Sequence, residues 1–466
     1  MKKILLLTLG LGLSGALLTG CKDFLELEST NSQPDVEFLK NVGNVESVLV
    51  GSYGQAFGDN FLGGEVLRTS EEYSDNLDLG RVTAGGGAGA QFTSRDFSLF
   101  NSQGRDLWSR GYTAISRANT VIAAIDENTF AADQNVKDRL RAEAQFVRAV
   151  AHFELVRLFA KPYTSNAGGE PGVPIRIVAV TTQQAADRVP RSSVGAVYDQ
   201  VIADLRAAEA VLPAINGNRA TKWAAKAYLA RVYFNKEDYA NAFAYSDDVI
   251  KNGGFNLGSP ANKTAVTLPF RVLGGDVSPN GTPVIFQAVG TTSNDVSNIA
   301  RNNFFNSNNE SVGLPLGTSL SDALRNRGGR RDSLLVSRPA STLPFSLKYQ
   351  GGVPINIPVI RLAEMHLTRA ESAVQKGGFD ATTVREDYNI LRRLASLSQD
   401  ASSSTADALL NNIREERRVE LFTENDRFHE LRRLRQNIRG LAYNDAKMLL
   451  KIPDIETQAN PDIEQN

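Results

Sequence analysis

A chain of 466 residues with a single cysteine, Cys21, has no internal disulfide to hold it together. Its fold must rest on buried apolar surface, and a 42% hydrophobic content at this length supplies a sizeable core. The spacing of the apolar residues then decides the architecture. From 34 to 57 they fall at Phe38, Val42, Val45, Val48, Leu49 and Tyr53. Steps of three and four make one buried helical stripe, and Pro34 suits a first helical turn. Residues 105–126 repeat the pattern with Leu107, Trp108, Tyr112, Ile115, Ala118, Ile122 and Ile125. Residues 136–160 repeat it again with Leu140, Ala144, Val147, Ala151, Leu155 and Leu158.

Residues 221–251 are more specific. Leu229, Ala230, Tyr233, Tyr239, Ala242 and Ile250 stand where a tetratricopeptide repeat sets its small and large knobs. Glu237-Asp238-Tyr239 resembles the Gly-Asp-Tyr turn of that repeat, and Ala230 and Ala242 let the two helices approach closely. A second helix–turn–helix runs from Arg361 to Ala395, with Gly377-Gly378 as its break. Such units cannot bury their apolar faces alone and must stack. The expected fold is predominantly α, a tetratricopeptide-like helix–turn–helix scaffold with long irregular loop insertions and minor β. The insertions run from about 58 to 103 and from about 253 to 358, and Val284-Ile285-Phe286-Gln287 reads as a short strand in the second. Loops longer than ~12–15 residues are usually functional or disordered. The glycine run at 85–89 is not a phosphate loop, because no Gly-Lys-Ser/Thr follows it.

The N-terminus carries Lys2 and Lys3, an apolar stretch from Ile4 to Leu18, and then Leu18-Thr19-Gly20-Cys21. That is the order of a secretory leader, and the stretch is shorter than the ~18–20 apolar residues that span a bilayer. The last four residues resemble a bacterial lipobox, which implies lipidation of Cys21. The expected organisation is a signal peptide at 1–20, a lipidated linker at 21–34 and a helical body at 35–466. Two or three acyl chains on Cys21 would anchor the chain stably, whereas one binds only marginally. Loss of Lys2 and Lys3 from the 51 basic residues leaves 49 against 52 acidic ones, a net charge of −3. A general nucleic-acid binder would carry a basic excess instead. Gly10-Leu11-Gly12-Leu13-Ser14-Gly15 matches the dinucleotide fingerprint by letter, but it lies in the leader without a preceding strand.

Nothing in the chain assembles a catalytic centre. His152, His366 and His429 lie in helical segments without a second His at ligand spacing, and they read as packed or surface residues. No Ser sits in a Gly-x-Ser-x-Gly elbow, and the sole thiol is spent on lipid. Acids and bases crowd at Arg414-Glu415-Glu416-Arg417-Arg418 and Glu420. Helical spacing lets Glu420 reach Arg417, and Arg427 reach Glu430. The interleaved arginines are expected to hold both Glu416 and Glu420 ionised, as an ion-pair network rather than a glycosidase pair. No metal and no cofactor is expected.

Binding is better supported. Sugar rings have apolar faces rimmed by hydroxyls, so their capture needs aromatic platforms with amides, carboxylates or guanidinium groups at the rim. The first insertion offers Arg68, Tyr73, Asp75, Asn76, Arg81 and Phe92 as candidates, beside Phe61, Phe97 and Phe100. The second offers Asn302, Phe304 and Phe305 within an Asn-rich run that includes Asn294 and Asn298. Scaffolded loops are where ligand contacts usually lie. Phe97 and Phe100 have the alternative of pinning their loop to the core. Both tryptophans, Trp108 and Trp223, fall on scaffold helices, so any platform must be Tyr or Phe.

Several blocks resemble the SusD-like (SusD/RagB) family of outer-membrane nutrient-binding lipoproteins. They are Cys21-Lys22-Asp23-Phe24-Leu25, Phe146-Val147-Arg148-Ala149, His152-Phe153-Glu154-Leu155-Val156-Arg157-Leu158-Phe159, Arg361-Leu362-Ala363-Glu364 with Ala370-Glu371, and Glu416-Arg417-Arg418-Val419-Glu420-Leu421. Glu424, Arg427-Phe428, Leu431-Arg432-Arg433, Ile452-Pro453, Glu456 and Asn460-Pro461 continue the series. The resemblance implies a surface lipoprotein of a Bacteroidetes-type bacterium without catalytic activity. It would capture a glycan or oligosaccharide and close over a SusC-type TonB-dependent transporter in the outer membrane. A peptide ligand is the first alternative. A surface hydrolase using Asp75 with Glu71 or Glu72, and a protein-binding scaffold, are the others. A gene for a large TonB-dependent barrel next door would discriminate uptake from scaffolding. One departure is Glu424-Asn425, where the family usually has Glu-Gly; a left-handed backbone there would tolerate Asn next best after Gly.

Overall fold

Asn101, Ser193, Thr221 and Thr405 each turn a side-chain oxygen to the backbone N–H three residues on, and each starts a helix. The computed structural model describes residues 37–80, 91–92, 94–95, 98–179, 188–271, 282–290, 296, 298–304, 314–338, 343–350 and 354–466. In chain order these form α1 (Val42–Ala56), α2 (Glu65–Tyr73), α3 (Ser102–Asp126), α4 (Gln134–Phe159), α5 (Val194–Val211), α6 (Lys222–Asn235) and α7 (Tyr239–Asn252). Then come β1 (Val284–Ala288), α8 (Asn298–Phe304), α9 (Thr318–Arg327), α10 (Arg330–Leu335), β2 (Val336–Ser337), β3 (Phe345–Ser346) and β4 (Ile357–Arg361). The chain finishes with α11 (Leu362–Gln375), α12 (Ala381–Leu394), α13 (Ala406–Glu420), α14 (Arg427–Arg433) and α15 (Asp454–Ala459).

The predicted helices at 105–126 and 136–160 correspond to α3 and α4, whereas the one expected at 34–57 begins only at Val42 as α1, behind a 3-10 turn at Phe38–Lys40 that leaves Phe38 exposed and out of the buried stripe; Pro34 lies outside the described residues. Sequential helices pack side by side: α1 on α3, α3 on α4, α4 on α5, α5 on α6 and α6 on α7. The series then jumps the second insertion, and α11 packs on α7, α12 and α13. The tetratricopeptide-like turn closes with Glu237 at φ +62°, and the break between α11 and α12 carries Gly377 at φ +80°. One apolar core runs through the stack, and a second smaller one joins Val45, Leu49, Ala118, Val121, Leu140 and Ala144 of α1, α3 and α4. β1 pairs antiparallel with β4, Val284 opposite Arg361 and Ala288 opposite Ile357. Arg361 therefore ends a strand instead of opening the helix. Among the described residues no helix is long and apolar enough to cross a membrane.

The insertions are less irregular than expected, since the first holds α2 and the second holds α8, α9, α10 and three strands. The charged C-terminal block is buried as an ion-pair network. Glu416 meets Arg331 at 2.7 Å, and Glu420 meets Arg331 at 2.9 Å and Arg361 at 3.0 Å. Arg427 pairs with Glu430 at 3.0 Å as the spacing predicts, whereas Arg417 turns to Asp426 at 2.5 Å and not to Glu420. Burial works against Glu420, yet Arg361 and Arg331 outweigh it and hold its pKa down to about 2. Glu416 corrects the expectation that the arginines keep either acid's pKa from rising: burial outweighs Arg331 and raises it. Asn425 has φ +61°, so the left-handed turn survives the exchange of Gly for Asn.

Candidate ligand-binding site

The two insertions, remote in sequence, are joined by backbone. Leu77 and Leu316 form an antiparallel bridge, Asp78 N donates to Pro315 O at 2.9 Å, and Gly317 N donates to Asn76 O at 2.7 Å. Farther along, Ile299 N donates to Asp59 Oδ1 at 2.7 Å where α8 packs on α2. Gly64, at the start of α2, lets them meet: a Cβ there would lie 2.8 Å from Ile299 Cβ. The C-terminal block supports the junction from beneath. Arg427 grips Asp75 through two bonds of 2.8 and 2.9 Å, Arg418 donates to Asn76 Oδ1 at 3.3 Å, and Arg439 donates to Ser74 O at 2.7 Å.

The candidate residues divide sharply. Tyr73, Asn76, Phe92 and Phe304 have no exposed surface. Tyr73 stacks on Phe428 at 4.9 Å and meets the edge of Phe92 at 5.0 Å. Phe304 tilts against Tyr349 at 5.9 Å. Asn76 bonds Glu71 Oε2 at 3.0 Å. Their rings and amide face the interior, so these four present no surface to solvent. Phe61 is buried likewise.

Arg68, Asp75 and Asn302 remain accessible. Arg68 keeps 24% of its side chain exposed while Nε holds Glu72 at 3.2 Å. Asp75 keeps 31%. Burial would raise its pKa, but Arg427 and Arg418 prevail and lower it. Asn302 is exposed on α8 and donates to Asn298 Oδ1 at 2.8 Å, so two amides share that face. Phe100 is 67% exposed beside Leu99, and so does not pin its loop to the core. Arg81, Phe97 and Phe305 lie outside the described residues. No local signal in the sequence links Arg418 and Arg439 to the residues at 74–77 that they support.

The acid pair named for hydrolysis, Asp75 with Glu71 or Glu72, does not open to solvent together. Burial raises Glu71 to a pKa of about 7, the value a general acid wants, but the side chain has no exposed surface through which to meet a substrate. Glu72 is equally buried and accepts from Arg68 and Gln103. All three histidines are buried in the scaffold. His152 bridges Arg148 O and Arg176 N, and burial lowers its pKa to about 4. Among the described residues no three His, Cys, Asp or Glu side chains converge as a metal site.

Two family models match the chain. One, described as starch-binding associating with outer membrane, covers residues 23–234. The other, described as the SusD family, covers residues 321–466. A SusD-like protein of Formosa agariphila is 28% identical over 239 residues, which are 50% of this chain and 44% of that protein. The matched stretch thus spans less than half of that curated relative. A SusD superfamily crystal structure from Bacteroides thetaiotaomicron superposes with a TM-score of 0.80 at 23% identity, covering 91% of this chain and 99% of the other. A laminarin-binding SusD-like protein superposes with a TM-score of 0.69 at 22% identity, covering 92% and 99%. Both likenesses show a shared fold along nearly the whole length, and the two family models, which between them match most of the chain, show that it belongs to the SusD family.

Proposed function

We propose that the chain captures a glycan or oligosaccharide at the surface of the outer membrane and hands it to a SusC-type TonB-dependent transporter. The observation that carries this reading is the bonded junction of the two insertions, which makes one rigid surface from segments more than 200 residues apart. To that surface we assign the exposed Asn298 and Asn302 amides, the partly exposed Arg68 guanidinium and Asp75 carboxylate, and the open ring of Phe100. Amide pairs and a bare ring are what hydroxyl-rimmed sugar faces require. The laminarin-binding relative supports a glycan over a peptide. The burial of Glu71 and Glu72 supports binding over hydrolysis. Lipid on Cys21 would hold the protein at the membrane, with residues 22–34 as the tether. Few contacts on an open surface give modest affinity, since ordering offsets much of the contact energy, and modest affinity suits release into a transporter.

Calorimetric titration against soluble glycans and peptides, with product analysis of each mixture, tests the reading. Saturable heat with a glycan and no cleavage is the expected result. Saturable heat with peptides alone, or cleavage products from any glycan, would overturn it.

A further inference from the structure

Remote from the insertions, a cavity of about 20 Å³ opens between α4, the segment after it, α5 and α14. Its wall carries Arg157, Lys161, Arg432 and Arg433, closed by the rings of Tyr163 and Tyr198. Among the described residues no Asp or Glu lines it. Three of the four cations find carboxylates behind the wall: Arg157 with Glu154, Lys161 with Glu170 at 3.2 Å, and Arg433 with Glu371 at 3.0 Å.

Arg432 does not. It is 2% exposed, and its guanidinium donates to three carbonyls, Arg157 O at 2.7 Å, Ala160 O at 2.8 Å and Tyr443 O at 3.3 Å. Burial lowers its pKa to about 10, the response of an enclosed cation that lacks a counter-charge. His429, also in the wall, is driven well below its usual pKa by burial and by Arg157, Arg432 and Arg231. A separate observation points the same way. The Arg157 side chain is 4% exposed, and its buried Nε donates to no partner. An orphaned buried donor is costly, so native structures seldom keep one without an ion or water.

We propose that this cavity binds one small monovalent anion of chloride size, which accepts from Arg157 and balances the charge of Arg432. A cavity of about 20 Å³ exceeds the ~10–15 Å³ that admits one water-sized particle, which favours a compact anion over a larger one. Water would satisfy the orphaned N–H but leave the Arg432 charge uncompensated; a halide does both. The site is independent of the glycan reading, because none of its lining residues belongs to either insertion.

The test replaces gluconate by chloride or bromide at constant ionic strength, using the full chain in detergent. It records the thermal midpoint and the quadrupolar line broadening of chloride. Both should respond saturably to halide, as expected for a ligand that binds only the folded state. Lys161→Gln, at the half-open mouth, should need at least about threefold more chloride for half the effect, with its own gluconate sample as reference. Arg432→Lys should lose most of the response. Equal midpoints and line widths in chloride and gluconate would overturn the proposal. So would a response to phosphate without one to halide, or an undiminished halide response in Lys161→Gln.

Discussion

Asn425 Nδ2 donates to Glu154 Oε2 at 3.1 Å, and Asn425 Oδ1 meets His429 Nε2 at 3.1 Å. One amide therefore ties α4 to α14 and fixes His429 as the Nε2–H tautomer. This occurs at a position whose φ of +61° would suit glycine better.

The two roles separate by substitution. Asn425→Ala keeps the strained backbone and loses both bonds, leaving Glu154 and His429 short of partners in the core. It should lower the unfolding free energy by about 2–4 kcal/mol. Asn425→Gly relieves the backbone and should be less damaging by about 1 kcal/mol. Urea unfolding of both variants measures the difference, and equal losses would mean that the turn, not the amide, matters.

The carboxyls of α2 predict a pH dependence of unusual sign. Burial raises Glu65 and Glu71 to about 7, above the ordinary 4.5 of a glutamate. Between those limits the folded chain binds more protons than the unfolded one, so each group's contribution falls as pH rises from 4.5 to 7, then levels off. Glu420, held down to about 2, acts oppositely: its contribution is full above 4.5 and is lost as pH falls toward 2. Glu71→Gln should therefore be more stable than the parent at pH 8, by about 1–3 kcal/mol, and near parity at pH 4.5. Urea unfolding at pH 5, 6, 7 and 8 decides; parallel curves would show that Glu71 does not titrate there.

α2 also shows why part of the fold was hidden in the sequence. Its residues Glu65, Arg68, Glu71 and Glu72 read as a solvated loop, yet three of the four are buried. What makes burial tolerable is supplied from afar: Gln103 for Glu72, and Asn76, itself bonded by Arg418, for Glu71. The scaffold helices needed no such help, because α1, α3 and α4 announce their inner faces by three- and four-residue apolar steps. Among the insertion aromatics, Phe92 and Phe100 look alike as letters. Only the arrival of Tyr73, which Phe428 backs from the far end of the chain, makes one core and leaves the other open.

That contrast is measurable. Phe92→Ala removes a fully buried ring and should cost about 3–5 kcal/mol of stability. Phe100→Ala removes a ring that is 67% exposed, and its thermal midpoint should stay within experimental scatter of the parent. If Phe100 is a sugar platform, its removal should weaken glycan binding by about three- to thirtyfold, or ~0.7–2 kcal/mol. Unchanged glycan affinity in Phe100→Ala would strike this ring from the site.

The junction itself can be pried open at one atom. A Cβ on Gly64 would stand 2.7 Å from Asp59 O and 2.8 Å from Ile299 Cβ, closer than packed atoms approach. Asp59 O is held by Glu65 N at 2.9 Å, so the Asp59 carboxylate, whose Oδ1 would lie 2.6 Å from the new Cβ, and α8 must give way, and the Ile299 N–H bond to Asp59 Oδ1 should weaken with them. Gly64→Ala is expected to lose about 1–3 kcal/mol of stability through this overpacking, and amide exchange at Ile299 should quicken while α6 stays protected. Gly54→Ala is the control, since nothing lies within 4 Å of its added Cβ and a helical Gly→Ala exchange gains about 0.4–1 kcal/mol. If the two insertions bind ligand as one surface, Gly64→Ala should also lose glycan affinity although neither Gly64 nor Ile299 belongs to the candidate residues. Faster exchange at Ile299 with full affinity would instead mean that each insertion binds without the other.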